Sequence, residues 1–189
     1  MTIVRALAGW IVFAIVGSFA ATTTAALVAL ITALLSLALG LRSYRALSAT
    51  VIELATVVFF TALVPVTYLH PTIGHFDSWV AAASQLWLGL TVLVTLLIGA
   101  PFTLAIAKQD APEEIWETAE FRRFNVVITR AWMVSFFTSA TLIAVLCATG
   151  VVSSWMTTLI VVAGIVVPIR FTEHRVRALK TASDPDGVR

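Results

Sequence analysis

The sequence predicts an all-α integral membrane protein: a bundle of six transmembrane helices, with a short interfacial amphipathic helix between the fourth and the fifth. Three observations carry this. The 189-residue chain is 60% hydrophobic and 12% charged, with a mean hydropathy of +1.00, whereas soluble domains lie near about 45–50% apolar and 25% charged. Several apolar runs reach the roughly 20 residues that a helix needs to cross a hydrocarbon core of about 30 Å. The runs show none of the apolar–polar alternation of a membrane β-barrel.

The elements follow in order. Residues 6–41 form one apolar run of about twice the spanning length. Gly17-Ser18 and Thr22-Thr23-Thr24 break it into a first span over about 4–20 and a second over about 22–41. Arg42 and Arg45 punctuate, and a third span covers about 50–69. The polar turn His70 to Asp77 follows. The fourth run, Trp79 to Ala107, is longer than a perpendicular crossing needs. It contains Gly99-Ala100-Pro101, and proline removes a backbone donor, so a bend is expected there. The fifth span covers about 125–149, a tight turn spans Gly150 to Ser154, and the sixth covers about 155–171. Residues 1–171 thus read as one membrane domain and 172–189 as a disordered cytoplasmic tail.

The basic residues test the count, because Lys and Arg collect in cytoplasmic loops. With six spans and both termini cytoplasmic, all twelve lie on one side: Arg5; Arg42 and Arg45; Lys108, Arg122, Arg123 and Arg130; and Arg170 through Arg189. Merging the first two spans would put Arg5 on the other side. A rival reading takes Arg5, the short apolar core and Ser18-Phe19-Ala20 as a cleaved signal peptide. The pI near 9.1 reflects these flanking charges, so topology explains it without a nucleic-acid partner. Cys147 is the lone cysteine, and no Cys/His cluster has metal spacing.

Five of the ten acidic residues fall within 108–125. Asp110 and Glu113 have capping-box spacing, with Pro112 in the first turn. A short helix is expected from about 111. It would place Ile115, Trp116 and Ala119 on an apolar face, carboxylates toward water, and Trp116 as an interfacial anchor. Carboxylates weigh little in sidedness, so they can gather here. A solvated face of this kind lacks the convergent oxygens of a cation or acid–base site.

Ionisable groups at membrane depth call for a role. Glu53 and Arg130 each lie about one turn inside a span and are the candidate ion pair, with Arg42, Arg45 or Arg170 also able to reach that level; a proton or ion relay is the alternative. Ser84, Gln85, Thr91 and Thr95 on the fourth span are the candidate polar pathway, although hydroxylated residues also pack membrane helices. Asn125 reads as a cap or interhelical donor. His70, His75 and Asp77 read as loop residues rather than a weak metal site. Thr22, Ala26, Ala29, Ala33, Ser36 and Gly40 form a small-residue stripe that lets a second helix approach closely, within the monomer or across a dimer. With Trp116 they make the candidate interface. Phe59-Phe60-Thr61 and Phe136-Phe137-Thr138 form a short internal echo.

Pro112-Glu113-Glu114-Ile115-Trp116, followed by Asn125, Trp132, Phe136 and Phe137, resembles the intracellular septation protein A family of bacterial inner-membrane proteins. That family carries a similar Pro-acid-Glu-aliphatic-Trp run before a span with Asn, Trp and paired Phe. This chain departs in having extra residues between Trp116 and Asn125 and between Asn125 and Trp132. Pro101-Phe102-Thr103-Leu104 also replaces the family's basic residues. The resemblance implies an inner-membrane location and a role in envelope maintenance or division through membrane partners, with no catalytic residues.

No nucleophile–base pair, phosphate loop or zinc motif is present. The expectation is a non-enzymatic protein without cofactor or metal, whose partners are the lipid bilayer and either membrane proteins or further copies of itself. A small oligomeric transporter or channel is the alternative.

Overall fold

The computed structural model describes residues 5–43, 50–69, 76–109 and 111–183. Its regular elements are helical: α1 (Ala8–Gly17), α2 (Thr22–Ser43), α3 (Val51–Leu69), α4 (Phe76–Leu97), α5 (Phe102–Ala107), a 3-10 turn (Glu113–Ile115), α6 (Ala119–Ala148) and α7 (Ser154–Ser183). Among the described residues five helices are long and apolar enough to cross a membrane: α2, α3, α4, α6 and α7.

Among the described residues the first expected span is not one of these five; Arg5 and Ala6 are helical, and α1 follows after Leu7. α1 has 10 residues, about 15 Å of rise against a core of about 30 Å. Leu7, at φ −97° and ψ 2°, leaves the helical region at one end. At the other, Ser18 donates its hydroxyl to the Ile15 carbonyl at 2.6 Å.

α1 packs on the stripe of α2. A Cβ added at Gly9 would lie 3.3 Å from the Ala29 carbonyl oxygen, 3.4 Å from the Ala33 side chain and 3.0 Å from Thr56 Cγ2 on α3. Ala26, Ala29, Ala33, Ser36 and Gly40 are buried, and Thr22 is half-buried. The stripe is therefore covered within the monomer, by α1 and α3. Small side chains let the backbones close up, and dispersion between them replaces contact with lipid.

α1, α2 and α3 pack in sequence, α4 packs most extensively on α6, and α6 on α7; α3 and α4 join the two groups. The core is aromatic. Trp10, Phe13, Phe59 and Phe60 stack with ring centroids 4.9–5.4 Å apart, and Trp132 sits against Phe136 and Phe102. Leu34, Val94, Leu142 and Val167 face outward, as expected of helices whose outer solvent is lipid.

The expected bend in the fourth run is a complete break. Gly99 adopts φ +73°. Its N–H reaches the Leu96 carbonyl at 3.1 Å, and the Ala100 N–H reaches Thr95 at 2.9 Å. This is a Schellman end, in which a left-handed residue turns the chain back onto its last carbonyls. Pro101 then has no N–H with which to resume α4, and the chain restarts as α5. Gly150, at φ +70°, ends α6 in the same way, with Gly150 N–H on Cys147 and Val151 N–H on Leu146.

The expected amphipathic helix from 111 is a single 3-10 turn. Pro112 (ψ 144°) and Thr118 (ψ 140°) are both extended, which leaves room for one turn between them. Thr118 caps α6: its hydroxyl accepts from the Phe121 N–H at 3.3 Å, and α6 begins at Ala119 rather than near 125. Asp110, the expected cap, lies outside the described residues. Trp116 is half-buried and anchors the connector to itself, with Nε1 donating to the Ala111 carbonyl at 3.0 Å and Lys108 Nζ 5.4 Å from the ring centroid. Glu117 pairs with Lys108 at 3.0 Å.

Of the tail expected to be disordered, residues 172–183 are helical, as part of α7. Glu173 meets Arg170 and Arg177, each at 3.6 Å, one turn to either side.

Candidate functional site: a polar cavity between α1, α4 and α7

The first residues of α2, α4 and α7 come together at one end of the bundle. Thr22 donates its hydroxyl to Asp77 Oδ1, and Ser78 on α4 and Thr157 on α7 share a hydrogen bond at 3.3 Å. These contacts frame a cavity of about 120 Å³, with Asp77, Ser154 and Ser18 at its mouth. The ends of the same helices that carry the basic connectors lie opposite. Trp10 and Phe13 of α1 form one wall, Val161 and Ile165 of α7 another, and Ser84 and Gln85 of α4 the floor. Gln85 is eight residues beyond Asp77, about 12 Å down the helix.

Its electrostatics are one-sided. Asp77 is the one charged residue in the lining, and the rest of the polar lining is hydroxyls and the Gln85 amide. Ser84 returns its hydroxyl to the Ala81 carbonyl at 2.8 Å, which satisfies the donor locally. Gln85 does not do this. It is 1% exposed, and its Oε1 has no hydrogen-bond partner among the described residues. An unpaired amide at membrane depth costs roughly 1–3 kcal/mol. Gly164 makes room for it: a Cβ there would lie 3.3 Å from Gln85 Oε1 and 2.5 Å from Ser139 Oγ.

No protein-family model matches the chain, and no curated protein or solved structure does. What the site can do therefore rests on its own geometry.

The four residues expected to line a pathway divide. Ser84 and Gln85 line the cavity. Thr91 donates to the Trp87 carbonyl and Thr95 to Val92, so both hydroxyls are bound to their own helix. Leu88 and Val92, each 0% exposed, separate Gln85 from Thr95, and the cavity ends above them. Thr95 serves the helix break instead, accepting from the Phe102 N–H at 3.4 Å.

Glu53 does not pair with Arg130. It is 1% exposed, with Oε1 3.9 Å from Arg5 Nε, because α1 runs alongside α3 and brings Arg5 to its level. Trp10 Nε1 donates to Thr56 Oγ1 at 2.7 Å one turn further along. Arg130 lies on the outer face of α6 and is exposed. Asn125 is not a cap: it lies inside α6, 1% exposed, donating Nδ2 to the Phe121 carbonyl at 2.9 Å. Thr103 of α5 bonds the Asn125 carbonyl at 3.0 Å and Thr129 at 2.7 Å. His70 and His75 lie outside the described residues, and no group of three metal-ligating side chains occurs among those described.

Sequence reading missed the cavity because its polar residues come from separate helix starts. Ser78, Thr157 and Asp77 each look like ordinary first-turn residues. A comparison of the three helix starts, each carrying at least one hydroxyl, would have been the signal.

Proposed function

We propose that this multi-pass membrane protein is a non-enzymatic solute-binding protein that admits a small polar solute from the side opposite its basic connectors, as the first step of transport. The observation that supports this is the buried Gln85 amide, whose Oε1 has no partner among the described residues, at the floor of a hydroxyl-lined cavity with Asp77 at its mouth. A lining with one carboxylate and no cationic side chain favours neutral or cationic solutes bearing hydrogen-bond donors. Leu88 and Val92 would then be the closed gate of an outward-open state.

Cysteine accessibility tests the reading. In a Cys147→Ala background in sealed proteoliposomes, Ser78→Cys and Ala81→Cys should react with a small cationic thiol reagent added on the cavity side, and not from the basic side. Uptake of amine-bearing and neutral polar solutes should be lost on Ala81→Trp. Residues 78 and 81 that stay unreactive from the cavity side would end the proposal.

A second reading follows the septation-family resemblance: an envelope or division protein acting through contacts. It is supported by the connector, where Glu113, Glu114 and Ile115 are exposed around the self-anchored Trp116. The α2 stripe offers this reading no surface, being covered within the monomer. Crosslinking from position 115 that captures a membrane partner, with no solute uptake, would favour it.

A further inference from the structure

Arg130 stands on a ridge between two furrows in the outer surface. On one side, α6 and α7 enclose a furrow of about 600 Å³, lined by Val134, Leu142, Ile160, Val167 and Phe171. On the other, α6 and α4 enclose one of about 510 Å³, lined by Leu93, Leu97, Met133 and Val134, with Arg122 at its head. Arg130 and Val134 line both. The first furrow is mostly apolar, with Arg130 at one end and the Ser135, Thr138 and Ser139 hydroxyls along it; the second runs from Arg122 to Val134, with Arg130 about 12 Å below Arg122.

Three features identify the occupant. Arg130 is exposed and forms no ion pair or hydrogen bond with another described residue, so its guanidinium offers its full fork of donors outward. It lies level with Phe171, on the basic-connector side, seventeen residues from the start of α7. That is about 26 Å along the helix, close to the edge of a core about 30 Å thick. From Arg130 to Leu142 the first furrow descends about 18 Å, close to the depth of one leaflet. A charge at headgroup level above an apolar cleft one leaflet deep matches a lipid with an anionic head and an acyl chain in that cleft.

We infer that the ridge binds an anionic diacyl phospholipid of the leaflet on the basic side, its phosphate on Arg130 and one chain in the furrow between α6 and α7. Basic residues above clefts between membrane helices recognise such headgroups by charge and hydrogen bonding. This site is separate from the polar cavity and does not depend on its role.

The test is lipid retention by the full-length protein in mild detergent, read by native mass spectrometry after addition of phosphatidylglycerol or phosphatidylcholine. Wild type should retain phosphatidylglycerol in preference. Arg130→Gln should lower that retention about fivefold or more, the loss of about one interfacial charge contact, with phosphatidylcholine unchanged. Arg130→Lys should keep part of it. Val134→Trp, which fills the ridge between the furrows and leaves the guanidinium in place, should also lower it. Arg123→Gln, an exposed arginine lining neither furrow, should match wild type. Equal retention of the two lipids by wild type, Arg130→Gln retaining as wild type does, or Arg123→Gln losing as much as Arg130→Gln would each overturn the inference.

Discussion

Ser135 on α6 donates its hydroxyl to the carbonyl oxygen of Gly164 on α7, 3.0 Å away. The bond falls one turn before Pro168, which lies inside α7 and has no N–H to offer that carbonyl. A hydroxyl from the neighbouring helix thus replaces the missing helical donor, as lipid cannot. Ser135→Ala should destabilise the protein by about 1 kcal/mol, within the range of interhelical bonds in membranes. In a Pro168→Ala background, where residue 168 regains its N–H, the same change should cost much less. Unfolding midpoints of the four proteins in a double-mutant cycle measure the difference.

Gly99 holds the break between α4 and α5 at φ +73°, and Arg122 Nη2 donates to its carbonyl at 2.9 Å. Any other residue there pays the left-handed strain of about 1–2 kcal/mol, and a Cβ would also sit 3.1 Å from Arg122 Nη2. Gly99→Ala should lower the thermal midpoint, whereas Gly89→Ala tests packing alone, since its Cβ would meet the Phe137 ring at 3.2 Å.

Glu53 and Arg5 couple the short α1 to α3 at membrane depth. Removing one partner of a buried pair costs about 3–5 kcal/mol when both are fully enclosed. Arg5 keeps 30% of its side chain exposed, so Glu53→Gln should cost less, about 1–3 kcal/mol. Arg5→Gln combined with Glu53→Gln should cost less than the sum of the two. Equilibrium unfolding in mixed detergent micelles reads this directly, and additive losses would show that the pair is uncoupled.

Gly9 lets α1 touch both neighbours. Gly9→Val would drive a branched side chain into Thr56 and the Ala29 carbonyl, each within 3.3 Å of the added Cβ. It should displace α1 and break the Trp10–Thr56 bond. The Trp10 fluorescence should shift to the red relative to wild type, with the other tryptophans replaced by Phe.

Much of this architecture was legible in the chain. Apolar runs and breaks located the long helices, and the stripe on α2 was visible as a contact surface, because spacing along one helix reports one face. Spacing along one helix does not say which helix lies opposite. Glu53 met Arg5 and not Arg130, since partner choice depends on how α1 lies against α3. The start of α6 was also not legible locally: Thr118 caps it, and the extended backbone at Pro112 and Thr118 leaves a single 3-10 turn where a helix from about 111 was expected. The cavity needed three helix starts in register, which no single segment encodes.

Gly150 has one more consequence, for biogenesis. The turn it makes leaves only a short link from Ala148 to Ser154, so α7 meets α6 as soon as it enters the bilayer. A ribosome paused after α6 would hold Ser135 and Ser139 against lipid until their partners emerged.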